Sequence, residues 1–130
     1  MRKKIFTFAV LMGSILFFTQ MAIAVYDGAQ VKTSMEKAGR LFTDLKVKVA
    51  SKDYYAAAER FMDIAKLFKD LDSVTPPEGS KEQWDSIHDA LINSAFKGIG
   101  ACGAKDDIAI QQAIGELIKL RDEGHKLFKR

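Results

Sequence analysis

The chain has 130 residues, 48% hydrophobic and 28% charged, with a formal net charge of +3 and one cysteine. That length fits a single domain with one core and no need of staples, and the lone Cys102 excludes an intramolecular disulfide. The positive balance is no nucleic-acid footprint. Three basic residues, Arg2, Lys3 and Lys4, lie in an N-terminal segment without acids, and their removal leaves seventeen Lys and Arg against seventeen interleaved Asp and Glu.

That N-terminal segment has the three zones of a secretory signal: the basic start, an apolar run over residues 5–18, and Ala22-Ile23-Ala24 as an A-x-A cleavage site. Cleavage after Ala24 would remove residues 1–24 and leave one domain, residues 25–130, in the periplasm. The apolar run is shorter than the about twenty residues that span a bilayer, and no later stretch approaches that length. The mature chain is therefore expected not to insert into a membrane.

Four helices are expected in the mature chain. In residues 27–50, Val31, Met35, Ala38, Gly39, Phe42, Leu45 and Val49 recur with the helical period and form the inward stripe of helix one. Ser51-Lys52-Asp53 breaks it and offers N-caps for helix two, residues 54–71, with Ala58, Phe61, Ala65 and Phe68 facing in. Pro76 and Pro77 then force a non-helical connection over residues 72–79. Ser80-Lys81-Glu82-Gln83 has the pattern of a capping box and opens helix three, with Trp84, Ile87, His88, Leu91, Ala95 and Phe96 near one face. The glycines at 98, 100 and 103 predict its end and a turn. Asp106 and Asp107 suit the positive end of helix four, whose stripe is Ile110, Ile114, Leu117, Arg121, His125 and Phe128. Two short turns, one long connection and no alternating period describe an all-α fold, an antiparallel up-down-up-down four-helix bundle.

Catalytic signatures are missing. Gly98-x-Gly100-x-x-Gly103 has the spacing of a dinucleotide fingerprint, but a helix precedes it where that motif needs a strand. The two histidines, His88 and His125, have no Cys or Glu at zinc-ligand spacing beside them, and nothing pairs Cys102 with a base. A thioether and an imidazole remain: Met35 early in helix one and His125 late in helix four, with Gly124 leaving room beside the histidine. An antiparallel bundle brings those two ends together. Sulfur and imidazole form an axial pair for haem iron. The alternative for each is ordinary core packing, a hydrogen-bonded histidine and a gap-filling methionine.

These features resemble the soluble four-helix cytochromes, the c-prime type and its non-covalent b-type relative. Met35-Glu36, Leu45-Lys46-Val47, Thr75-Pro76-Pro77 and Leu117-x-x-x-Arg121-x-x-x-His125-Lys126-x-x-x-Arg130 carry the likeness, in order, over residues 25–130. The c-prime members attach haem through Cys-x-x-Cys-His near the chain end; here Arg121 and Gly124 stand at the cysteine positions, so attachment there is impossible. The resemblance implies a non-covalent haem b between helices one and four, with Met35 and His125 as iron ligands. Arg121 would lie near the haem edge, where it can serve a propionate, and Phe61, Phe68 and Trp84 would wall the pocket. It further implies an electron carrier without enzyme activity, redox protein partners, and a dimer surface on helices one and two. His88 is an alternative ligand, and a five-coordinate gas-binding variant would leave the methionine side open. The competing expectation is a haem-free bundle that binds a protein partner or a small apolar ligand.

Overall fold

A computed structural model describes residues 28–128. The signal segment, the cleavage site after Ala24 and Arg130 of the C-terminal motif lie outside the described residues. Four helices follow in order: α1, Gly28–Ala50; α2, Tyr54–Asp70; α3, Lys81–Gly103; and α4, Asp107–Phe128, with a 3-10 turn at Leu71–Ser73 after α2. Among the described residues there is no strand, and no helix is long and apolar enough to cross a membrane.

Each helix buries the stripe that its periodicity marks. Ala38, Phe42, Leu45 and Val49 of α1, and Phe61, Ile64, Ala65 and Phe68 of α2, enter one core with Leu91 and Ala95 of α3 and Ile110, Ile114 and Leu117 of α4. Burying each of the larger side chains stabilises the fold by about 1.5–3 kcal/mol. Three expected members fall elsewhere: Gly39 and His125 are exposed, and Phe96 is 49% exposed because it follows Ala95 by one residue, about 100° round the helix. Neighbours in sequence are neighbours in space, α1 on α2, α2 on α3 and α3 on α4, while the backbones of α1 and α4 stand further apart. The product is a four-helix bundle.

The helix starts use the polar residues expected of them. Asp53 Oδ1 accepts from the Ala56 amide at 3.1 Å, Asp106 Oδ1 from the Ala109 amide at 3.1 Å, and Ser80 and Gln83 complete their capping box at 3.0 and 3.2 Å. The glycine run behaves differently from expectation. Residues 98–103 continue α3 rather than ending it. Gly98 is there for close packing: a Cβ on it would lie 2.4 Å from the Phe61 ring of α2.

The short turns instead stop on lysines. Lys52 and Lys105 adopt left-handed backbone, φ 59° and 54°. In each turn the following aspartate amide returns to a helix carbonyl, Asp53 to Lys48 and Asp106 to Ala101, both at 3.0 Å. This is a Schellman arrangement made without glycine.

Candidate functional site

A cavity of about 360 Å³ opens where the start of α1, the start of α3 and the end of α4 meet. Val31 and Met35 line it from α1, Phe68 from α2, and Pro77 from the long connection. Trp84, Ile87, His88 and Leu91 come from α3; Leu120, Arg121, Gly124, His125 and Phe128 come from α4. Its walls are apolar and aromatic, with few polar groups, the usual character and size of a small-molecule or cofactor site.

Aromatic packing sets the inner wall. The Trp84 indole donates to the Leu71 carbonyl at 3.0 Å, which ties the first turn of α3 to the end of α2. Phe128 meets Trp84 edge-on, centroids 5.0 Å apart at 71°. Gly79, with φ 77°, lets the connection pass beneath Phe128, which would crowd any Cβ there at 3.1 Å. His88 is wedged between Trp84, at 4.4 Å and 64°, and Phe68, at 5.6 Å.

His88 is the unusual polar residue of this wall. It is only 3% exposed, and its Nδ1 is buried without a hydrogen-bond partner. Burial pushes its pKa down to about 4, so the ring is neutral at physiological pH. Leaving such a nitrogen unpaired costs about 1–3 kcal/mol.

The outer wall carries the two residues expected to face one another. Met35 is half-buried and His125 is exposed at the rim. The exposure of His125 corrects the expectation of a buried stripe position and follows from helical arithmetic. From Leu117, Gly124 and Phe128 return to within about 20° of the same line, whereas Arg121 drifts by about 40° and His125 by about 80°. The drift runs toward α1: the Arg121 guanidinium stands 5.6 Å over the Phe42 ring. Arg121 also pairs with Asp122 at 3.2 Å in a half-exposed contact of little strength.

Of the other expected site residues, Phe68 and Trp84 line the cavity and Phe61 does not. Phe61 is fully buried against Gly98, about two helical turns along α2 from Phe68, too deep in the core to reach the cavity. Ile87, Leu91, Leu120 and Phe128 form walls that sequence reasoning did not assign. Phe128 was the legible one, since it shares the Leu117 line.

Comparison with protein-family models, with curated proteins and with solved structures returns no match. The chemistry therefore rests on the residues themselves.

Among the described residues no group of three or more His, Cys, Asp or Glu side chains comes together as an ion cage. Met35, His88 and His125 put a thioether and two imidazoles around the cavity, side-chain types that could ligate a haem iron. Met35 from α1 and His125 from α4 both border the cavity, among side chains that are mostly apolar. Cys102, by contrast, is buried in the last turn of α3, where burial raises its pKa and leaves an unreactive thiol. A second cleft, of about 410 Å³ near the short turns, includes Lys46, Lys52, Asp107 and Gln111. Lys52 and Asp107 are paired with each other, and no residue lining this cleft carries a buried polar atom without a partner.

Proposed function

We propose that this protein is a secreted, periplasmic electron carrier, an up-down-up-down bundle of the c-prime kind that binds one non-covalent haem b in the cavity between α1 and α4. The observation that carries the reading is the presence of Met35 and His125, ninety positions apart in the sequence, on one apolar cavity. The iron would supply one-electron exchange. Met35 and His125 would ligate it, the thioether favouring the reduced state, while Phe68, Trp84 and Phe128 exclude water. Arg121 would give up its weak contact with Asp122 to hold a propionate. Residues 1–24 would direct secretion, and partners would be other redox proteins.

Two variants test the ligand assignment. His125→Ala should abolish stable hemin binding, and an unchanged spectrum in that variant would contradict the reading. Met35→Ala should still take up hemin but lose its low-spin character and show a lower reduction potential; an unaltered potential would remove Met35 from the ligand set. A haem-free bundle that takes a small ligand is the second reading, favoured by the exposure of His125 and by the unpaired Nδ1 of His88.

A further inference from the structure

We propose that the cavity binds a small neutral aromatic molecule carrying one hydrogen-bonding hydroxyl or N–H group, with phenol as the simplest probe, and that His88 is the residue that recognises it. This rests on the second reading, a haem-free bundle that takes a small ligand, and uses the cavity that haem would fill in the first.

Size, walls and charge each narrow the guest. An apolar cavity of about 150 Å³ already accepts benzene, and this one has about 360 Å³. Its inner wall is built from the rings of Phe68, Trp84 and Phe128, two of them set edge-on to Trp84 or tilted about His88, so a flat ring finds both faces and edges to pack on. No carboxylate lines the cavity and Arg121 does, so an ammonium guest would meet no counter-charge.

His88 supplies the directional element. A neutral imidazole has one donor and one acceptor nitrogen, and here Nδ1 is buried without a partner. His88 lines the cavity with Nδ1 turned away from open space, and a guest hydroxyl that draws the imidazole round to face it gives Nδ1 a hydrogen bond that the empty protein does not make, whereas a methyl group of the same size cannot. Discrimination is large when a buried polar group would otherwise stay unpaired.

Trp84 is the only tryptophan in the chain, and its ring is 4.4 Å from that of His88, so its fluorescence reports on this site. The full chain, without hemin, is titrated with phenol and with toluene, alongside His88→Phe, which keeps a ring and removes both nitrogens. Both ligands should perturb Trp84 in the wild type, and the phenol-to-toluene affinity ratio should fall about tenfold in the variant, the worth of one recovered hydrogen bond. An equal ratio in the two proteins, or wild-type fluorescence indifferent to phenol, would overturn the proposal.

Should His88→Phe fail to fold, the ring ¹⁵N shifts of His88 in the wild type decide. Phenol should move them and toluene should not; shifts unmoved by phenol would overturn it equally. Hemin enters neither measurement, so a failure of hemin to bind would count against the cytochrome reading only.

Discussion

The two short turns and the cavity treat polar groups in opposite ways. At the turns, Lys52 Nζ reaches Asp107 at 2.7 Å and the Tyr54 hydroxyl donates to the same carboxylate at 2.9 Å, which joins the α1–α2 turn to the start of α4. The shared hydrogen bonds hold Asp107 below the usual carboxylate range and raise Lys52. Around the cavity, His88 is held among aromatic rings with Nδ1 unpaired. Paired, exposed charges define where the chain turns. An unpaired, buried imidazole beside empty volume marks where the fold has given up packing, and such departures from full satisfaction are where function is expected.

Four predictions sharpen the contrast. The largest effect lies in the filled core: Phe61→Ala should destabilise the fold by about 3–5 kcal/mol in denaturant unfolding, since its ring fills the space against Gly98. A loss under 1 kcal/mol would mean that region is as loosely packed as the cavity.

Next is the pH response of His88. Its folded pKa, about 4, lies below the unfolded value near 6.5, so the unfolded chain binds the extra proton between those limits. The stability from keeping His88 neutral is fully present above pH 6.5 and is lost as pH falls toward 4, a contribution of about 3 kcal/mol. His88→Phe should flatten that part of the profile, and a parallel profile in the variant would place the proton elsewhere.

Third, Trp84→Phe removes the indole hydrogen bond to the Leu71 carbonyl and should cost about 1 kcal/mol in chemical unfolding, because that carbonyl keeps its bond from the Val74 amide. The smallest effect belongs to the turns: Asp107→Asn should leave the thermal midpoint almost unchanged, since the pair it breaks is solvent-exposed. A clear drop there would show that the turn network stabilises more than its exposure suggests.

Much of this architecture was legible in the residues. Periodicity marked most of the inward face of each helix, with Gly39, Phe96 and His125 as exceptions, and Asp53, Asp106 and the Ser80–Gln83 box marked three helix starts because capping chemistry is local. Helix order alone was enough to bring Met35 and His125 to one cavity. The misreadings came from residues whose role depends on a neighbour far away in sequence. Gly98 looks like a helix stop until Phe61 is seen against it, and the true stops, Lys52 and Lys105, carry no signal of left-handed backbone. The assignment of Phe61 to the pocket failed for a related reason: pattern tells that a side chain faces inward but not how deep along the bundle it lies. His88 was visible as an inward residue, yet that its Nδ1 would lack a partner depends on Phe68 and Trp84 closing over it.

The most direct test is the absorption spectrum of the wild-type protein titrated with hemin, recorded oxidised and then reduced. Saturation at one haem per chain, a sharp Soret band and split visible bands on reduction are the predicted result, with Met35 and His125 as ligands. A titration that never saturates, leaving only the broad spectrum of free hemin, would contradict the haem-binding account and leave a bundle whose cavity serves another ligand.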